Sequence, residues 1–525
     1  MPSPGPSVAL AVALLTGAVT HGFNLFGYPL YVTDEGIYMQ QAWSVLREAR
    51  LSPYTYFYDH APAGWLIIAG WAALLPSQLQ TFGGALNTGR VLMLLVHLAS
   101  VYLLFMVCWR MSGTLLAAIV ATFLFNVSPL AIFYQRQVLL DNLMVFWMLL
   151  SLYLATRATA RKRVLTAIGS GLAFGVAILT KENAVFFLPA LLFFVYGQLR
   201  EGVHFRFGLG FWCFATLAMV SFYFLYATLK NELFPSGFSF DLNNPPADHV
   251  SLLYTIWWQI HRSQGSLFDT SSPVWRFSLG AWLPKDRFLL IAGGAAMLLN
   301  LIIGLRNRHA GLHLAAAGLL AGGYAFYLAR GSQMLEFYVV PLVPFLAMNV
   351  GLLLAWLVEH VRVVPRLVRL APVGGLVSVL ALHPGLGYVL VIDEFGKVVP
   401  HDLYKIDLTA SQAHQVSFIR DNVPSDAKMI TDDDIWADLH DVRPFYKWAH
   451  SYTKAARDPD VRDKLFGKDW RNIDYIALSN KMRDAMQLDN ADGSVNWILD
   501  GLDHAQPVWV EARGDVKLEV YRVTK

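Results

Sequence analysis

Long apolar runs broken by short polar turns dominate the chain up to about residue 392. A membrane-spanning helix needs about 20 mostly apolar residues. Runs of that kind predict spans over 8–27, 86–108, 112–130, 138–156, 164–180, 183–199, 208–229, 288–305, 310–329, 336–358 and 371–392. About eleven transmembrane helices are therefore expected. The stretch 62–76 is shorter, is flanked by Pro62 and Pro76, and predicts an interfacial or re-entrant helix. From about residue 393 the pattern changes. Strand-like runs at Lys428–Thr431, Tyr475–Leu478, Val508–Val510 and Leu518–Tyr521 alternate with helix-like ones such as Ser411–Arg420. That alternation predicts a small α/β domain. The expected organisation is a polytopic α-helical membrane module over 1–392, with interfacial helices, and a C-terminal α/β domain over 393–525.

Composition agrees with this pattern. Of 525 residues, 55% are hydrophobic and 15% charged, against about a quarter charged in soluble domains. Mean hydropathy is +0.43. Cys108 and Cys213 fall inside apolar runs, which argues against a disulfide framework or a cysteine metal site. Met1–Ser7 carries no Lys or Arg before the first run, so a retained first span is expected rather than a signal peptide. No nucleic-acid partner is expected.

Short-loop charges fix an orientation. Arg110, then Arg157, Arg161, Lys162 and Arg163, then Arg200 and Arg206, then Arg306 and Arg308, then Arg362, Arg366 and Arg369 occupy alternate loops. The positive-inside rule puts those loops, and the N-terminus, in the cytoplasm. An odd number of spans then makes the C-terminal domain extracytoplasmic. The expected location is the plasma membrane, a bacterial inner membrane. The outer segment 230–287 carries Trp257, Trp258 and Trp275, which points to packing on the membrane surface rather than disorder.

Charged groups gather on the predicted outer side. Asp34, Glu35, Asp59 and His60 follow the first span; Arg136 and Asp141 lie between the third and fourth. Lys181 and Glu182 lie between the fifth and sixth, and Arg330, Glu336 and Tyr338 before the tenth. Charges beside a span must be solvated, paired or bound, because leaving them in hydrocarbon costs several kcal/mol. Asp34 and Glu35 sit where a helix begins, with Thr33 as its expected N-cap. Tyr38, Trp43, Val45 and Leu46 then mix with Gln40, Gln41, Arg47 and Arg50, as in a helix lying in the interface. Plain structural roles compete with functional ones: Asp141 pairing with Arg136 to stabilise a bend, Lys181 and Glu182 as a solvated turn, Arg330 as an interfacial anchor. His97, His313 and His383 lie within spans and read as packed residues.

Basic groups on the outer side oppose the positive-inside bias, and a bound phosphate accounts for them. Arg136, Lys181 and Arg330, with Tyr338 beside them, are the candidate phosphate contacts. A divalent cation held by Asp oxygens would share the load, with Asp34, Asp59 and His60 as its expected ligands. Glu35, His60, Asp141 and Glu182 are expected to neighbour the acceptor or the metal. An acid beside this site can take a proton from a hydroxyl nucleophile. The chemistry is transfer of a group from a lipid phosphate.

At these residues the chain resembles the GT-C superfamily of polyprenyl-phosphate-sugar-dependent glycosyltransferases. It is similar to the protein O-mannosyltransferases and the bacterial lipid A aminoarabinose transferases. D-E-G-x-Y at 34–38, D-H-A-P-A-G-W at 59–65, the L-T-K turn ending at Lys181, and E-F-Y-V-V-P-L-V-P from Glu336 carry the resemblance. Ala61 replaces the first proline of the D-H-P-P form. The resemblance implies that Asp34 is the catalytic base or acceptor-binding acid. It implies that Asp59 contacts metal or acceptor, and that Lys181 contacts the donor phosphate. An inverting transfer of one sugar to an extracytoplasmic glycan, lipid or protein is the leading expectation. A lipid-linked sugar flippase or other transporter, and an oligosaccharide polymerase or ligase, are the alternatives. Transporters favour ionisable groups at the midplane and inverted repeats, whereas here the charges gather at one surface and no repeat is visible.

Overall fold

In a computed structural model of the chain, the described residues are 4–51, 58, 60–157, 163–200, 205–241, 251–261, 266, 268–306, 311–330, 334–360, 375, 390–392, 398–400, 407–490, 493–513 and 516–525. They form two compact units, each assembled from separate stretches of sequence. The first takes in Met1–Phe23, Met93–Leu229 and Trp257–Tyr404; the second takes in Asn24–Leu92, Lys230–Ile256 and Lys405–Lys525. The expected boundary at 392/393 follows chain order, whereas packing draws the first polar segment into the unit of the C-terminal residues.

The helices, in order, begin with α1 (Pro4–Gly22), α2 (Thr33–Glu48), α3 (Ala63–Ala73), α4 (Ala85–Ser112) and α5 (Leu115–Val127). Next come α6 (Pro129–Tyr134), α7 (Leu140–Thr156), α8 (Arg163–Thr180), α9 (Leu188–Leu199) and α10 (Phe205–Leu229). Then follow α11 (Leu252–His261), α12 (Pro273–Phe277), α13 (Leu283–Arg306), α14 (Gly311–Arg330) and α15 (Leu342–His360). Seven helical stretches among the described residues are long and apolar enough to cross a membrane: Gly5–Gly22, Ala85–Ser112, Glu182–Leu199, Phe205–Leu229, Pro273–Arg306, Gly311–Arg330 and Glu336–His360. With the shorter apolar helices α5, α7 and Val164–Thr180 of α8, they fall on the expected spans up to 336–358. Most of the expected span 371–392 lies outside the described residues. The 62–76 stretch forms α3, which is shorter and apolar, as its length predicted. Trp257 and Trp258 lie on α11 and Trp275 on α12, so these parts of the segment 230–287 are helical.

In the first unit α8 packs between α7 and α10, α13 packs with α14 and α15, and α15 lies on α5. Small residues make these contacts close, as lipid-embedded helices require when no hydrophobic effect drives them together. A Cβ at Gly351 of α15 would stand 2.5 Å from the Ala117 carbonyl oxygen of α5.

Strands β1 (Leu390–Ile392) and β2 (Val398–Pro400) pair antiparallel in the first unit, and the second unit holds the predicted C-terminal sheet. Its five strands run in the order β4 (Ala449–Ser451), β3 (Met429–Thr431), β5 (Tyr475–Ser479), β7 (Val516–Val523), β6 (Ala505–Arg513). β3 is parallel to β4 and β5, and β7 is antiparallel to β5 and β6. Four of these strands fall on the predicted runs. β4, only three residues long, has no run of its own in the sequence. Met429, Ile430, Ile476, Leu478 and Val520 form the buried centre of the sheet, and the helix Ala410–Asn422 packs on β6 and β7.

The helix Asp433–Asp441 follows β3 and opens with buried acids. Asp432 accepts from Ser479 Oγ at 2.7 Å, Asp433 from Gln40 Nε2 at 2.6 Å, and Asp434 from Gln412. Burial, then the neighbouring Asp432 charge, pushes the Asp433 carboxyl up to about 7. Burial also raises Asp434 well above the usual carboxylate range. An unfolded Asp433 ionises near 4, so between about pH 4 and pH 7 the folded chain holds a proton that the unfolded chain has lost. Stability from this group is therefore present at low pH and falls as pH rises through that window. Asp433→Asn should remove that fall: thermal unfolding in detergent at pH 5 and 7.5 should differ less in the variant than in wild type. Identical pH slopes would contradict the assignment.

Candidate functional site

Each unit carries part of the predicted constellation. In the second unit, Thr33 is the first residue of α2 rather than its cap; Val32 occupies the capping position. Lacking a side-chain acceptor there, the helix start instead uses Glu35, whose Oε1 accepts from the Val32 N–H at 3.3 Å. The larger role of Glu35 was not visible in the sequence. Arg90, in the first turns of α4, donates from Nε to Glu35 Oε2 at 3.1 Å and from Nη2 to Oε1 at 2.9 Å. Both side chains are 0% exposed. This is the bidentate geometry in which guanidinium and carboxylate bind most strongly. Arg90 also donates to the Leu25 carbonyl at 3.3 Å and lies 4.4 Å over the Tyr31 ring. A charge inside the run 86–108 was the available signal.

The neighbouring acid is treated differently. Asp34 is half-buried and in the first turn of α2, where the positive helix end favours a carboxylate. Tyr38, one turn on, has its hydroxyl 3.4 Å from Asp34 Oδ1. The His60 ring lies 6.0 Å from the Tyr38 ring. Asp59 lies outside the described residues. Among the described residues no three His, Cys, Asp or Glu side chains gather as ligands for a metal ion. Of the expected ligand set, Asp34 and His60 lie among the described residues and Asp59 does not.

In the first unit, Lys181 and Asp141 meet. Lys181 directly follows α8, and Asp141 is in the first turn of α7; Nζ lies 2.5 Å from Oδ2 with both groups buried. Asp141 thus pairs with Lys181, not with Arg136, which donates instead to the Thr20 carbonyl at 2.6 Å. The Lys181 ammonium also lies 4.3 Å from the Tyr338 ring centre and 5.0 Å from that of Phe337, a cation–π arrangement. An ammonium has three donors, of which Asp141 takes one. The solvated-turn alternative for Lys181 does not survive its burial. Glu182 begins the 3₁₀ turn Glu182–Phe187 and is half-buried. Arg330, half-buried, ends α14 just before residues 331–333, which lie outside the described set.

Two further groups of this unit were missed. Lys285 donates to Glu336 Oε1 at 2.6 Å, and Glu336 also accepts from Tyr134. Lys285 keeps 30% of its side chain exposed, so it is a more accessible cation than Lys181. Asp286 accepts from Ser128 at 2.6 Å and from the Leu289 N–H at 3.0 Å. Both residues stand at the edge of a span, where the sequence reads equally well as a solvated boundary.

Comparison with known proteins follows this geometry. Residues 59–226 match the family described as dolichyl-phosphate-mannose-protein mannosyltransferase. No curated protein matches the sequence. The chain is similar to the crystal structure of ArnT from Cupriavidus metallidurans bound to undecaprenyl phosphate. Identity is 17%, the TM-score is 0.61, and the match covers 100% of this chain and 99% of that one. It is also similar to the archaeal oligosaccharyltransferase AglB from Archaeoglobus fulgidus, in complex with an inhibitory peptide and a dolichol-phosphate. There identity is 11%, the TM-score is 0.56, and coverage is 99% and 74%. At these identities the likeness is one of fold. The resemblance to GT-C glycosyltransferases thus holds, in an ArnT-like fold with a small C-terminal sheet.

The Glu35–Arg90 pair yields a stability prediction. Removing one partner of a buried ion pair leaves an uncompensated charge and costs about 3–5 kcal/mol. Arg90→Ala and Glu35→Ala should each lose stability on that scale in denaturant unfolding of the detergent-solubilised chain. The double variant should lose less than the two singles summed. Single variants as stable as wild type would contradict the pairing.

Proposed function

We propose that this chain, with its ArnT-like GT-C fold, is a glycosyltransferase that moves one sugar from a polyprenyl phosphate to an extracytoplasmic acceptor, with inversion. The observation that carries the reading is the split fate of two adjacent acids. Glu35 is consumed by Arg90, while Asp34 stays half-buried at a helix N-terminus with a tyrosine hydroxyl beside it. Of the two, Asp34 is the more exposed, since Glu35 is fully buried in its ion pair.

The step balances simply. An acceptor hydroxyl oxygen attacks the anomeric carbon from the face opposite the phosphate. The bond from that carbon to the phosphate oxygen breaks with its electron pair, and polyprenyl phosphate leaves. The acceptor proton passes to Asp34, the general base. The leaving phosphate gains negative charge, and fixed cations stabilise it. Lys181 is proposed for this, as the resemblance implies. The reading places Asp34 and the C-terminal sheet outside the cytoplasm, as the basic loops indicate. That the ArnT structure holds undecaprenyl phosphate, and the AglB structure a dolichol-phosphate, supports a lipid-phosphate donor.

Losing a general base lowers the rate by about 10²–10⁴. Asp34→Asn should fall by that factor in kcat with purified chain and lipid-linked donor, while donor binding stays within about threefold. Near-normal turnover in Asp34→Asn would remove it as the base.

A further inference from the structure

Helix α2 lies along the helix Asp433–Asp441, about 400 residues away in sequence. The contact runs down one stripe of α2. Gly36, Gln40, Trp43 and Arg47 recur at spacings of four and three, which places them on one helix face. Gly36 sits against the backbone at the start of the second helix. A Cβ there would meet the Asp433 carbonyl and stand 2.6 Å from the Asp434 nitrogen. Gln40 Nε2 donates to Asp433 Oδ1 at 2.6 Å. The Trp43 ring meets that of Trp436 edge-on, with centres 5.2 Å apart. Arg47 donates from Nε to Asp441 Oδ1 at 2.7 Å. The same helix reaches the start of α4, where Asp438 Oδ1 accepts from the Ala85 N–H at 2.8 Å. Asp34 lies off this stripe, two residues before Gly36. Its own position on α2 is therefore set by how closely Gly36 seats.

We propose that the C-terminal domain is a positioning element for the catalytic base: the start of the helix Asp433–Asp441 grips α2 at Gly36 and Gln40 and so fixes Asp34. This rests on the reading of Asp34 as the base. Gly36 and Asp433 are positioning residues; neither touches substrate. The backbone atoms that Gly36 meets cannot rotate aside as a side chain could. One added methyl must therefore move α2 away from its partner helix. The required shift is on the order of 1 Å, and a misplacement of that size can cost about 10² in rate. Away from a close contact, Ala favours a helix over Gly, so the substitution would otherwise be harmless or stabilising.

The test uses the purified full chain with a polyprenyl-phosphate-linked sugar, measuring kcat and donor KM. Gly36→Ala should lower kcat by about 10² with donor KM within about threefold. In an Asp34→Asn background the same substitution should change the residual turnover by less than about twofold, because there is no base left to misplace. Normal kcat in Gly36→Ala, or an equal fractional loss in both backgrounds, would overturn the proposal. Should Gly36→Ala fail to fold, Asp433 decides. Asp433→Asn keeps an acceptor for Gln40 and should retain turnover, whereas Asp433→Ala should lose about tenfold. Wild-type kcat in Asp433→Ala would then count against the grip. Failure of the underlying reading looks different. Asp34→Asn with normal turnover rejects the base itself, whereas an inactive Asp34→Asn beside a fully active Gly36→Ala rejects only the grip.

Discussion

The buried pair of Glu35 and Arg90 is the constraint on which the second unit depends. A guanidinium and a carboxylate with no exposed surface are stable only when each satisfies the other, so the start of α2 is tied to the start of α4. The neighbouring acid of the D-E-G turn, Asp34, is half-buried and lies outside this pair. Gly36 then lets α2 seat against the backbone of the acidic helix. Three consecutive positions thus have three separate tasks: one presents a carboxylate, one anchors the helix, and one permits close approach.

The first unit uses a similar device. Asp141 and Lys181 neutralise one another in a buried setting, and the rings of Phe337 and Tyr338 flank the ammonium. Glu336 and Lys285 form a second, more open pair next to Tyr134. Lys181 and Lys285 are thus each paired with a carboxylate, which is how charge is tolerated at the edge of an apolar phase.

Most of the architecture was legible because hydropathy is a local signal. The spans up to 336–358, the short helix α3, and four of five strands follow from runs within a few residues of one another. Partners were not legible, because they depend on contacts far apart in sequence. Arg90 sits inside a stretch that reads as apolar, so its pairing with Glu35 could not be foreseen. Asp433 reads as one of three ordinary acids until Gln40 is found beside it. Residue type favours Thr33 as the cap, and the helix starts one residue earlier than that rule expects. Lys181 and Tyr338, far apart in sequence, lie side by side in the fold. No motif in the C-terminal domain signals its packing against α2, which joins residues about 400 positions apart.

The central claim is transfer rather than transport, and it is tested most directly by following both halves of the donor at once. Purified chain would be reconstituted in vesicles with a polyprenyl-phosphate sugar labelled in the sugar, together with an extract of cell-envelope acceptors. The account predicts one polyprenyl phosphate released for each labelled sugar joined to acceptor, with the anomeric configuration of the product inverted. Movement of the intact lipid-linked sugar across the bilayer, with no polyprenyl phosphate released, would contradict it.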